Sequence, residues 1–227
     1  MVTYVPLYVQ AILGGSPTEA GSAITPMVIG WPIASAVSGR MLPRVGFRPL
    51  VRTGLLISAV AAVALAVLLR PGASIHAPQA LSALFGVGLG LANTALLIAV
   101  QTSVEWRQRG VATASTMFAR TIGGTLAVGA LGAMLSSALL RGGSVASDAA
   151  DRLLGPEHGA GLDPDVLRGL AASLQAGLGT VFWAIAGISV AAALISLFFP
   201  HLPVGVRSAD DADVAQPAEM STLPPEA

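Results

Sequence analysis

The stretch "TASTMFARTIGGTLAVGA", Thr113–Ala130, decides how the rest of the chain is read. It is small and apolar, rich in Gly and Ala, and it carries one charge, Arg120, with no acid beside it. It is the middle of a run from Gly110 to Leu140 that holds no other Asp, Glu, Lys or Arg. A helix needs about 20 apolar residues to cross a hydrocarbon core of roughly 30 Å, and this run is long enough.

Outward from that stretch the pattern repeats. The 227 residues are 54% hydrophobic and only 11% charged, with a mean hydropathy of +0.74. Soluble domains carry about 25% charged residues, and one water-soluble core could not hide so much apolar surface. The expected solvent is a lipid bilayer. Runs free of charge predict spans at 17–41, 51–69, 79–103, 110–140 and 172–199. Residues 1–13 supply a shorter apolar segment, a clipped helix. The predicted class is an all-α integral membrane protein with five complete spans and one partial span.

Helix-end chemistry separates the runs. Ser16-Pro17-Thr18-Glu19 reads as a capping box with Pro at the first helical position. Asp163-Pro164-Asp165 starts the last helix in the same way, its acids at the positive end of the dipole. Pro26 and Pro32 fall inside the first full span, which membrane helices tolerate because neighbours re-satisfy the freed carbonyls.

Arginine placement orients the chain. Arg40, Arg44, Arg48, Arg52, Arg107, Arg109 and Arg207 fall on one face, cytoplasmic by the positive-inside rule. Arg70, Arg141, Arg152 and Arg168 fall on the other, diluted by five acids in 141–169, which is the expected external loop. The tail 200–227 is acidic and rich in Pro and Ala, the composition of a disordered segment.

Composition also excludes. Net charge is zero, so nothing favours nucleic acid. The absence of Cys removes disulfides and thiolate chemistry. His76, His158 and His201 lack metal-ligand spacing, and no paired carboxylates lie at membrane depth. No enzyme, metal or cofactor is expected.

Two polar stripes remain. On the helix around Arg120, the residues Thr113, Thr116, Arg120, Gly123, Gly124 and Ala127 share an arc of about 100°. A charge inside a span faces the bundle interior or water, but a long Arg can also snorkel to the interface. Both readings stand at this point. On the preceding span Ser82, Gly86, Gly90, Asn93 and Gln101 share an arc, where polar residues line a pathway or join helices. Tyr8 on the clipped helix and Trp31 on the next suit either a drug-like ligand or interface anchoring.

Three phrases carry a family resemblance. "YVPLYVQAILGGSPTEAGSAITPMVIGWPIASAVSGRMLPRVGFRP" resembles the start of the C-terminal half of a major facilitator superfamily transporter, closest to the fourteen-span drug:proton antiporters. "RGVATASTMFARTIGGTLAVG" resembles the eleventh core helix of that group. The loop Gly39–Arg48 resembles the family's cytoplasmic gating motif through Gly39, Arg40, Arg44, Gly46 and Arg48, with Pro43 where the motif has Asp. The resemblance implies two six-helix halves around a cavity and alternating access. At most one half is expected here, as a fragment, a truncated product or a late-assigned start. It implies proton-coupled efflux of small amphipathic molecules, with the bilayer, the substrate and the missing half or another membrane chain as partners. The other class compatible with the residues is a non-transporting scaffold or remnant that packs against a membrane partner.

Overall fold

The computed structural model describes residues 1–68, 74–140 and 164–200. They form α1 (Tyr4–Ala11), α2 (Pro17–Val45), α3 (Phe47–Leu68), α4 (His76–Thr102), α5 (Arg109–Leu140) and α6 (Pro164–Ser196). A 3-10 turn, Trp106–Gln108, precedes α5. Five of these helices are long and apolar enough to cross a membrane. The chain is an all-α, multi-pass membrane fold.

The start of α2 follows from its first four residues. Ser16 Oγ accepts from the Glu19 amide at 3.2 Å. Glu19 Oε2 in turn accepts from the Ser16 amide at 2.7 Å. Two otherwise orphaned donors are thereby satisfied, and Pro17 takes a position whose N–H is not needed.

The expected loop Gly39–Arg48 is almost entirely helical. Only Gly46 lies outside α2 and α3, and its φ of 84° requires glycine. Charge marks where an apolar run ends, but not where helical hydrogen bonding ends, so α2 continues through Arg40 and Arg44 to Val45. Likewise α6 begins at Pro164, inside the segment expected as external loop. The rest of that loop, the tail beyond Pro200, and Arg70, Arg141, Arg152, His158, His201 and Arg207 lie outside the described residues.

Lipid is as apolar as Leu, so helices in a bilayer associate by close packing and hydrogen bonds rather than by hydrophobic expulsion. Helix α4 is built for this on two faces. A Cβ at Gly86 would lie 2.6 Å from Met27 O, and one at Gly90 would lie 2.8 Å from Ala34 Cβ, both on α2. On its other face, a Cβ at Gly88 would lie 2.6 Å from Gly54 O on α3. Ser38, fully buried, donates to Leu91 O at 2.9 Å, and Gln79 donates to Ser22 Oγ at 3.1 Å. The glycines of the Ser82–Gly90 stripe therefore join helices. Gly86 meets Met27 and Gly90 meets Ala34, so α2 and α4 run parallel; Gly54 meets Ala92 and Ser58 meets Gly88, so α3 runs antiparallel to α4.

Helix α1 is short but packed. Val5 and Val9 are fully buried. They belong to the apolar cluster that also holds Leu178, Val181 and Phe182 of α6. A second cluster gathers Leu42, Phe47, Leu50, Val51, Ala95 and Ala99 at the end where α2 turns into α3. At that same end the Arg52 guanidinium reaches across to α6. It donates through Nε to Ser196 O at 3.2 Å and through Nη2 to Leu197 O. These carbonyls lie at the negative end of a helix dipole, and Ser196 O also accepts from the Phe199 amide at 3.0 Å. Arg52→Gln is expected to lower stability by about 1 kcal/mol and to free the end of α6 for protease cleavage in detergent. An unchanged melting temperature and cleavage rate would show the clamp to be idle.

Candidate functional site

The pairing of α4 with α5 is thin and mostly polar. Gln101 donates to Thr113 Oγ1 at 3.1 Å. Two helical turns further, a spacing of about 11 Å, Arg120 Nη1 donates to Asn93 Oδ1 at 2.7 Å. The two helices run antiparallel, so α4 counts down by eight residues while α5 counts up by seven.

Trp31 completes the second rung from α2. The Arg120 guanidinium carbon lies 5.3 Å from the centre of the Trp31 ring. Helix α2 can deliver that ring because Gly90, one turn before Asn93, lets the two backbones approach closely. Three residues from three helices, separated by up to 89 positions, meet at one point.

The energetics of this point are unusual. A charged hydrogen bond contributes about 1.5–3 kcal/mol and a cation–π contact about 0.5–2 kcal/mol. Both offset the cost of carrying Arg within a span, which reaches about 2.5–3.5 kcal/mol at the helix centre. Both partners are neutral, however, so the positive charge is held in place without being neutralised. The guanidinium sits at the depth of Asn93, about 14 Å along α4 from Thr102. The Arg120 head group meets Asn93 and Trp31 rather than the end of either helix.

Arg120 also lines an open groove of about 550 Å³ on α5, with Met117, Thr121, Gly124, Thr125 and Val128. This groove is rotated slightly from the arc read in the sequence. Thr121 and Thr125 are the lining residues that sequence reasoning missed, and their signal was the i+1 and i+5 spacing from Arg120. The surface beside it is bare: a Cβ added at Gly123, Gly124 or Gly129 meets nothing within 4 Å. A second groove, of about 540 Å³ between α3 and α6, is lined by aliphatic residues alone and offers no chemistry.

The other sequence candidates are placed differently. Thr116 donates back to Ala112 O at 2.8 Å, bonding within its own helix. Thr113 and Gln101 hold each other at the first rung. Tyr8 is buried in the apolar core, its ring edge-on to Phe182 at 6.1 Å. Gly39, Arg40 and Arg44 lie on the last turns of α2, with Gly46 forming the turn. Arg48, at the start of α3, has a buried Nε with no hydrogen-bond partner, at the end of the motif where Pro43 replaces the acid.

Comparison with known proteins decides the family. The model of the Major Facilitator Superfamily matches residues 1–128, more than half of the chain. The chain belongs to this superfamily. Within it, the chain is 34% identical to the multidrug transporter protein MdtP of Bacillus subtilis, covering 65% of this chain and 26% of MdtP. It is 32% identical to a tetracycline resistance determinant of Streptomyces rimosus, covering 57% of this chain and 38% of that protein. An uncharacterized MFS-type transporter of Mycobacterium tuberculosis is 29% identical over 93% of this chain and 31% of its own length. The chain thus spans about a quarter to two fifths of the relatives it matches. Superfamily membership and the five span-forming helices place it in the plasma membrane as a multi-pass protein.

Proposed function

We propose that this chain is the C-terminal helical bundle of a drug:proton antiporter of the fourteen-span type, exporting small amphipathic molecules. The observation that carries the reading is the Arg120–Asn93–Trp31 point, a charge held at membrane depth beside a groove open along α5. The multidrug and resistance names of the relatives support efflux. Their greater length supports a second bundle facing α5. In this reading Arg120, Asn93 and Trp31 border the pathway, and Gln101, Thr113 and Thr116 extend it toward the cytoplasm. Gly39, Arg40, Arg44, Gly46 and Arg48 form the cytoplasmic motif.

Orientation is directly testable because the chain has no native Cys. An impermeant thiol reagent on intact cells is expected to label Ser147→Cys and spare Ser208→Cys. The reverse pattern would invert the topology.

Proton coupling needs a group that binds and releases a proton within the membrane. Of the acids whose side chains are described, Glu19 is at the start of α2 and Glu105 lies just beyond α4. Arg120 stays charged and cannot carry the proton. The carrier therefore belongs to the facing bundle. The 227-residue chain alone, in liposomes with an imposed pH gradient and a fluorescent drug, is expected to move no drug. Gradient-driven movement abolished by a protonophore would overturn the half-transporter reading in favour of a homo-oligomer with its own pathway.

A further inference from the structure

We propose that the Arg120–Asn93–Trp31 point is a receptor for a carboxylate carried on a flat aromatic body, making the pathway selective for anionic rather than cationic molecules. The inference rests on the pathway reading above and specifies the substrate class of that site.

Charge is the first support. The guanidinium is held by a neutral amide and a neutral ring. Among the described residues, a cationic molecule entering the groove would meet the positive charge and no carboxylate: Glu19 is occupied at the cap of α2 and Glu105 lies beyond the end of α4. An anion would neutralise a charge that the described residues leave uncompensated.

Geometry is the second. Guanidinium is a planar fork with five N–H donors, and Asn93 takes one of them through Nη1. The remaining donors suit a carboxylate, which accepts two parallel bonds from such a fork. Asn93 and the Trp31 face restrain the head, so little rotamer freedom is lost on binding. Positioned this way, Asn93 and Trp31 orient the arginine.

The groove supplies the third support. The groove wall runs from Met117, one turn before Arg120, to Gly124 and Val128 after it, with Thr121 and Thr125 alongside. Thr125 donates to Thr121 O at 2.9 Å, which commits its proton to the helix backbone. The wall is thus mostly apolar and is open at the glycine, where an aromatic ring can lie.

The test uses the 227-residue chain in lipid nanodiscs. Trp106→Phe and Trp183→Phe leave Trp31 as the sole tryptophan. Its fluorescence is titrated with para-nitrobenzoate, the methyl ester of that acid and para-nitrobenzylammonium, three quenchers sharing one ring. The carboxylate is expected to quench at a concentration at least about tenfold lower than either counterpart. Arg120→Gln should abolish that preference, and Arg120→Lys should retain part of it. Equal affinities, a preference for the ammonium, or a preference surviving Arg120→Gln would overturn the proposal. The comparison of three probes on the sole-Trp31 chain decides the matter even if Arg120→Gln fails to fold. A carboxylate preference with no efflux by the complete transporter in cells would defeat the transporter reading alone; efflux by the complete transporter without the preference would defeat this inference alone.

Discussion

Gly88→Leu is expected to prevent the bundle from assembling. The first atom added at Gly88 would lie 2.6 Å from both Gly54 O and Ser58 N, and these are backbone atoms that cannot rotate away. Helices α3 and α4 would have to separate, and α2 holds α4 from the other side through Gly86 and Gly90. Overpacking of this kind costs about 1–3 kcal/mol for a modest intrusion; a whole leucine against two backbones lies at or above that range. Typical folded domains are stable by only about 5–15 kcal/mol. The expected result in detergent is aggregation or loss of the monodisperse peak. Gly123→Ala is the matched control. Its added methyl meets nothing within 4 Å, and alanine favours a helix by about 1 kcal/mol over glycine. It should melt no lower than the parent chain. If Gly88→Leu melts with the parent, the close approach of α3 and α4 is not what holds them.

Arg120→Lys is expected to abolish most efflux in the complete transporter while leaving insertion intact. Lysine keeps a charge but loses the planar fork that reaches Asn93 while lying over Trp31. A lost charged hydrogen bond of about 1.5–3 kcal/mol corresponds to a fall in efflux on the order of tenfold or more. Dye accumulation in cells, normalised to the amount of protein in the membrane, measures it. Undiminished efflux would make Arg120 a structural group whose charge alone matters. Asn93→Ala is expected to behave like a milder version, because the cation–π contact remains.

The helices were legible because lipid imposes one simple rule, and charge-free runs of the right length obey it. Each such run in this chain falls on one of α2 to α6. The ends of α2 were less legible. Arg40 and Arg44 look like loop in a hydropathy reading, but both are good helix formers, and only Gly46 breaks the ladder. The stripes on α4 and α5 could be read from a period of 3.6, and the stripe on α5 was placed within one residue of the groove. What each stripe faces could not be read. Gly86 and Gly90 turned to α2 while Asn93, on nearly the same line, turned to α5. Helix rotation is set by neighbours that lie tens of residues away, and no local spacing encodes it. The opening puzzle of Arg120 had the same origin: the missing acid is not in the stretch because its partners are an amide and a ring on other helices.

Those partners also fix an order in time. Trp31 and Asn93 precede Arg120 in the chain, so during synthesis α2 and α4 emerge before α5 does. A lone α5 would meet the bilayer with an unsupported guanidinium within its apolar run, and the span Trp106–Ala138 that contains it has one of the two lowest mean hydropathies of the five, 1.4. Delivered beside helices already in place, the same segment finds a waiting amide and an aromatic face. Membrane entry of α5 is thereby a cooperative event, dependent on what was made before it. Damage at Trp31 or Asn93 would then surface first as a failure of biogenesis, with α5 stranded outside the lipid, before any defect in transport could be measured.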